Sequence, residues 1–229
     1  STGLLGKHLI FDGAYHETAT DGYIDGTSGR SGSYYGGLTW LADNFKVSYK
    51  NIGNFEKTGQ AWSGVLASDY DTNFTLMSDG IYTYKDMDAA GLGKFNILTA
   101  GLVRNGKGDY TIVPYTMRDG RRWDKTTDNF YQNHNILSAT WTPGSHWSHN
   151  IALHYTYGYG YYKEFKSNSK FSKFGLIYQD ADGNTVELSD FVRKKGLTQH
   201  TYGIVYNTNY KDEHWDVIGG LNLQQFRGS

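Results

Sequence analysis

Cysteine is absent from the 229 residues. Disulfides, thiolate metal sites and a cysteine nucleophile are thereby excluded. Only two prolines are present, and the abundant glycine follows no fixed period, which excludes collagen-like and proline-rich disordered architectures. A formal net charge of −1 supplies no basic field for nucleic acid. No run approaches the roughly 18 apolar residues of a spanning helix, and STGLLGKHLI has neither the basic start nor the apolar core of a signal peptide. Signatures of catalysis are missing too: no GxSxG or HExxH occurs, no paired-carboxylate motif stands out, and GLGKF lacks the spacing and the Ser or Thr of a phosphate-binding loop. The chain reads as a non-enzyme.

What is present is aromatic. Tyr (20), Phe (11) and Trp (6) make up 16% of the chain against a hydrophobic total of only 38%. So rich an aromatic content argues for a folded protein, yet no aliphatic core is advertised.

The organising stretch is WSHNIALHYTYGYGYYKEF, Trp147 to Phe165. Ile151, Leu153, Tyr155, Tyr157, Tyr159 and Tyr161 fall on alternate residues, with Ala152, His154, Thr156, Gly158, Gly160 and Tyr162 between them. Alternate side chains of a strand point to opposite faces, so this is a long strand between two environments, one apolar and one small or polar.

The same alternation recurs along the chain. It predicts strands at His8 to Asp25, Ser33 to Leu41, Phe45 to Lys50, Asn129 to Trp141, Trp147 to Phe165, Thr198 to Thr208 and Trp215 to Leu223. Between them lie short turns near Ala42, Gly144 and Asp212 and longer connections after Asp25, Lys57 and Phe165. The two longest are about 58–127 and about 166–196, beyond ordinary connection lengths and therefore candidates for function. GDYTIVPYTM inside the first suggests partial strand structure, and YQDADGNTVEL inside the second suggests a hairpin.

Alternating short and long connections are what antiparallel strands give when one rim of a barrel has tight turns and the other long loops. Each short turn is also flanked by aromatics of the apolar face: Trp40 and Phe45, Trp141 and Trp147, Tyr206 and Trp215. In a membrane barrel such residues form an interfacial girdle. Asn133 and Asn135 disturb this pattern, because their parity is that of Leu137, Ala139 and Trp141. Either a bulge shifts the register or both sit at the upper interface.

Three clusters suggest ligand chemistry. Arg118, Arg121, Arg122 and Trp123, with Tyr110 and Tyr115, could hold an anionic chelate or a sugar, because guanidinium forks bind carboxylates and aromatic faces stack on rings. The ordinary alternative is a solvated loop whose arginines pair with Asp119, Asp124 and Asp128. LASDYD, KDMD and DADGNTVE raise calcium, but Asp180 to Glu187 lacks the calcium-loop spacing and Asp-Gly is a common hairpin turn. His134 and His154 fall on the polar face near each other with no third ligand converging, and the expectation is that no metal or other cofactor is bound.

With these elements in place the chain resembles the barrel of TonB-dependent outer-membrane receptors, of the type common in Bacteroidetes. The likeness is carried by ATDGYIDGTSGRSGSYYGGLTW, EKTGQAWSGV, TTDNFYQNHNILSATW, ALHYTYGYGYYKEFK and LSDFVRKKGL, in that order across essentially all of residues 1–229. The resemblance implies an all-β fold: an antiparallel up-and-down meander of about seven strands, forming part of a large transmembrane barrel with long extracellular loops. It implies location in the bacterial outer membrane, contact with outer-membrane lipid, and import of a scarce nutrient such as a siderophore, cobalamin, haem or a glycan. Energy would come from the TonB complex through a plug domain. The plug, the TonB-contacting box and the aromatic C-terminus of the family are missing from these residues, so the chain is read as an excised piece of something larger, not expected to fold stably in water alone. The rival reading is a soluble all-β carbohydrate-binding module, which would bury its apolar face against a second sheet. A barrel enzyme with a Ser, His and acid meeting at the loop end ranks behind both.

Overall fold

The computed structural model describes residues 1–61, 73–77, 80–83, 94–104, 110–117 and 119–229. Eight strands form one antiparallel up-and-down sheet: β1 (Leu4–Leu5), β2 (Leu9–Thr20), β3 (Gly29–Leu41), β4 (Phe45–Gly59), β9 (Thr127–Trp141), β10 (Trp147–Lys170), β11 (Leu188–Lys211) and β12 (Asp216–Gly228). Four short strands lie in the connection between β4 and β9. β5 (Asn73–Met77) pairs with β6 (Gly80–Thr83), and β7 (Ala100–Arg104) pairs with β8 (Tyr110–Pro114). The sheet is not closed: β1 and β12 stand at its two edges.

Seven of these strands match the expected ones; the eighth, β1, is a two-residue strand turned back on Leu9 and Ile10. Boundaries differ where the apolar residues keep no alternation. β4 runs on from Lys50 to Gly59, and β10 and β11 are each 24 residues long. The second connection is therefore 171–187 and not 166–196, because SDFVRKKGL and KSNSK pair in the ladder without any apolar alternation to announce them. It opens with a 3-10 turn at Phe171–Phe174, and its tip is the Asp180–Gly183 turn beyond a β-bridge between Gln179 and Thr185.

Register decides which residues share a face. Direct partners across antiparallel strands lie on one side of a sheet, and following them strand by strand gives continuous rows. One row is Leu9, Trp40, Val47, Ala139, Ile151, Tyr206 and Leu221; the next is Phe11, Leu38, Tyr49, Leu137, Leu153, Ile204 and Leu223. Toward the short turns the neighbouring row is Phe45, Trp141, His149, Thr208 and Gly219. Toward the long connections it is Gly13, Gly36, Asn51, Asn135, Tyr155, Tyr202 and Gln225, then Tyr15, Tyr34, Gly53, Asn133, Tyr157, His200 and Arg227. Many large side chains of these rows are solvent-exposed, Leu137, Leu153 and Leu223 among them, while Val47, Tyr157 and Ile204 are half-buried.

The other face alternates small and polar residues with charge at mid-height. One of its rows reads Asp12, Gly37, Lys50, Ile136, His154, Gly203 and Gln224, the next Ala14, Tyr35, Ile52, His134, Thr156, Thr201 and Phe226. His134 and His154 thus stand on neighbouring rows, with the His134 ring 2.8 Å from the Thr156 hydroxyl.

Asn133 and Asn135 lie on the apolar side without any bulge, since β9 pairs in unbroken register with both β4 and β10. The bulge alternative is thereby removed, and both residues lie on the apolar face toward the long connections. Their amides are satisfied within the sheet: Asn51 Nδ2 donates to Asn135 Oδ1 at 2.9 Å and to Asn133 Oδ1 at 3.1 Å, Tyr49 donates to Asn135 Oδ1 at 2.6 Å, and Asn133 Nδ2 donates to the Tyr34 hydroxyl at 3.0 Å.

Candidate functional site

The buried core of the described residues lies at the long-loop end, where the first connection returns to the sheet. Asn96, Thr99, Ala100, Trp123 and Thr126 are all buried there. Asn96 is the knot. Its Nδ2 donates to the carbonyls of Asp25 at 2.7 Å and Gln60 at 2.9 Å, and its Oδ1 accepts from the Leu98 amide at 3.0 Å. One side chain thereby ties the β2–β3 loop and the end of β4 to the base of the first connection. Gly26, at φ 74°, makes the close approach possible, since a Cβ there would meet the Asp124 carbonyl oxygen at 2.6 Å.

From this knot the chain rises as the β7–β8 hairpin and descends through Tyr115 to Trp123. Trp123 is only 6% exposed. Its indole N–H donates to the Thr126 hydroxyl at 3.2 Å, its ring stacks on Phe165 with centroids 6.0 Å apart, and Tyr115 packs on the same Phe165 at 5.5 Å. Burial pushes the Tyr115 phenol up.

The expected binding cluster is therefore divided. Trp123 and Tyr115 are packing residues that fix the loop to β10, and the Trp123 ring is not an open stacking surface. Arg121 is exposed and its Nε donates to Asp119 at 2.7 Å, holding that carboxyl below its usual range. Arg122 is exposed and bridges Thr116 through its backbone. Tyr110 belongs to β8, with its side chain outside the described residues, as is Arg118. The aspartates of LASDYD and KDMD also lie outside the described residues.

Between the two connections opens a cleft of about 940 Å³, and this is where the described ligand-capable groups converge. Thr116, Met117 and Asp119 form one wall; Phe165, Phe171, Tyr178, Asp180, Asp190 and Phe191 line the rest. Phe171 stacks on Tyr178 at 5.5 Å and meets Phe191 edge-on at 5.0 Å, and Phe174 adds to Phe191 at 4.5 Å. Asn168 lines the same cleft in the left-handed region at φ 47°. Asp190 holds it there, accepting from the Asn168 amide at 2.9 Å and the Ser167 hydroxyl at 3.1 Å.

Asp180 closes its own turn, accepting from the amides of Asn184 at 2.8 Å and Asp182 at 3.0 Å. The Asn184 hydrogen bond is the main reason its carboxyl titrates below the ordinary range. That is hairpin-turn chemistry, as Asp-Gly suggested. Among the described residues no group of three His, Asp and Glu could hold a metal ion. Chemically the cleft offers aromatic faces beside carboxylate acceptors, a combination for non-covalent binding of a polar ligand with an apolar face.

The expected girdle residues gather at the opposite end. Trp40 meets Phe45 at 6.3 Å, Trp141 and Trp147 stack on His149 at 5.5 and 5.7 Å, and Trp147 packs on Tyr210 at 4.9 Å. Tyr206 stacks on His149 at 6.3 Å, while Trp215 stands 67% exposed at the tip of the last short turn. His149 joins three of these rings and was not singled out in the sequence; its parity with Ile151 and Leu153 is the signal that could have found it.

No family model, curated protein or solved structure matches the chain.

Proposed function

We propose that these strands are part of a closed outer-membrane β-barrel of the TonB-dependent transporter type, and that the cleft between its long connections meets the imported nutrient. The observation that carries this reading is the distribution of charge. From the row of Phe45 to the row of Gly13 the apolar face has no charged residue on any strand, while the other face carries Asp12 and Lys50 at the same height. Water does not require such an asymmetry on an exposed sheet face; lipid does.

Dimensions agree with a bilayer. Trp147 and Tyr157, which bound the apolar rows on β10, are separated by ~33 Å of strand. At a barrel tilt of about 35–45° this corresponds to ~25 Å, the height of a barrel's apolar band. The tyrosines on rows with Tyr155 and Tyr157 supply the second aromatic level. Among the described residues no second sheet covers the apolar face, which a carbohydrate-binding sandwich would need. The free edges of β1 and β12 would be closed by further strands of the same barrel.

Depth-dependent fluorescence quenching tests the reading. In phosphatidylcholine vesicles, bromine placed near the carbonyl end of the acyl chains should quench Trp40, Trp141 and Trp147 more strongly than bromine at the chain end. Absence of quenching by any brominated lipid would remove the membrane reading and leave the soluble module in front.

A further inference from the structure

On the apolar side, charge first occurs at the row of Tyr15, Tyr34 and Tyr157, which ends in Arg227, and from there outward it is mostly of one sign. Register places Arg30 directly opposite Lys57, in a row that continues through Asn129 and Tyr161 to Gly196. In the next row outward Lys163 stands directly opposite Lys194. Like charges directly opposite each other destabilise a sheet, and here two such pairs occur at neighbouring heights.

Among the described residues, the one acid that pairs with any of these four cations is Glu17, which engages Arg30. Glu17, one row nearer the tyrosines, takes Arg30 Nε at 2.5 Å. Lys57, Lys163 and Lys194 have no acidic partner among the described residues. Lys163 lies over the Trp123 ring at 5.8 Å, and Lys194 lies over Tyr161 at 3.8 Å while donating to the Tyr159 hydroxyl at 3.1 Å. Glu164 and Asp128 have the opposite parity, and Glu164 is buried and already engaged by Lys166 at 2.8 Å and by Arg193 Nε at 2.6 Å. The aromatic contacts press Lys194 against the tyrosines and leave ammonium N–H groups directed to no anion.

We infer that Arg30, Lys57, Lys163 and Lys194 form a docking belt for phosphate-bearing lipid headgroups in the leaflet on the long-loop side. The inference rests on the membrane reading above. Headgroups lie immediately outside an aromatic belt, so the cations stand at the height of lipid phosphate, and their excess over Glu17 is the complement of an anionic headgroup. An intervening phosphate also removes the repulsion that the two direct pairs otherwise carry.

The test uses the barrel that contains these strands, reconstituted in phosphatidylcholine vesicles with spin-labelled phosphatidic acid or spin-labelled phosphatidylcholine, and reads the motionally restricted lipid by electron spin resonance. The expected result is at least about twofold selectivity for phosphatidic acid, falling toward parity at high salt. The variant K57Q/K163Q/K194Q, which leaves the Arg30 and Glu17 pair intact, should lose most of that selectivity while restricting phosphatidylcholine as before. Equal restriction of both lipids by the wild type, or selectivity retained in the variant, overturns the inference and leaves the membrane reading standing. Loss of selectivity on adding millimolar inorganic phosphate overturns it in favour of a free-anion site. If no lipid is restricted at all, the membrane reading fails and the inference falls with it.

Discussion

Asn51 stands directly across from Asn135, amide to amide at 2.9 Å, on the face whose next two rows are wholly apolar. Together with Asn133, Tyr34 and Tyr49 they form one connected polar network. A network of this kind is stable only while every member keeps its partners. Asn51→Ala removes one of the two donors to each of the Asn133 and Asn135 carboxamide oxygens, which keep Asn135 Nδ2 and the Tyr49 hydroxyl respectively, and is expected to cost about 1 kcal/mol. Replacing Asn51, Asn133 and Asn135 together by Leu should cost less than the sum of the single changes. Unfolding in lipid vesicles, compared across the single and triple variants, decides; additive costs would argue against a cooperative network.

Charge tolerance should differ sharply between adjacent residues of β10. Leu153 belongs to an exposed apolar row and Ala152 to the opposite face. On the membrane reading proposed above, Leu153→Arg is expected to destabilise the protein in lipid by about 2–4 kcal/mol, the cost of a cation near the bilayer midplane. Ala152→Arg should cost much less. The measurement is urea unfolding from vesicles, and equal costs at the two positions would contradict the assignment of faces.

Asn96 links three separate stretches of chain through a single buried side chain. Asn96→Ala leaves the Asp25 and Gln60 carbonyls without that donor, an expected loss of about 2–3 kcal/mol. The loss should be local, loosening residues 94–126 while the sheet ladder persists. Limited proteolysis should therefore cut the variant within that connection before any strand is released. Cleavage unchanged from the wild type would show that Asn96 is not the anchor.

Asp212 gives the last short turn an acid sensitivity. Its carboxylate accepts from the amides of His214 and Trp215, each at 2.7 Å, and from the Tyr210 hydroxyl at 2.8 Å. Hydrogen bonding from His214 first, then Tyr210 and Trp215, lowers its pKa below the ordinary 3.8. A carboxyl whose folded pKa is depressed contributes stability that is complete above the unfolded value and lost as pH falls through the folded one. The turn should hold from neutral pH down to about 3.8 and loosen below it. Amide exchange at His214 and Trp215, followed as pH is lowered, is the readout. Asp212→Ala should exchange fast at every pH, and an unchanged rate in that variant would dismiss the carboxylate as the cap.

Much of the sheet was legible because the alternation of a strand is local. Leu9 and Phe11, Leu38 and Trp40, or Ile151 and Leu153 declare a shared face over a few residues, and the structure keeps every such parity. The upper parts of β10 and β11 were not legible, since Lys166 to Lys170 has no apolar residue and Leu188, Phe191 and Val192 keep no alternation, so that only mutual pairing makes these stretches strands. Tyr115 and Trp123 carried the composition of a binding site, yet Phe165, reached from far along the chain, turns them into packing residues. The cleft of Phe171, Tyr178 and Phe191 was hidden for the same reason: its walls come from two connections.

By itself the sequence determined the all-β class, the up-and-down order of the long strands, their two faces and the rim with tight turns, because each depends on residues within one strand or one turn. Tertiary structure alone decided what meets across strands. It set Asn51 beside Asn135, tied two loops to Asn96, opened the cleft between the connections, and brought Arg30 opposite Lys57 and Lys163 opposite Lys194. Those contacts depend on the register between distant segments, and a shift of one residue would send every one of these side chains to the other face.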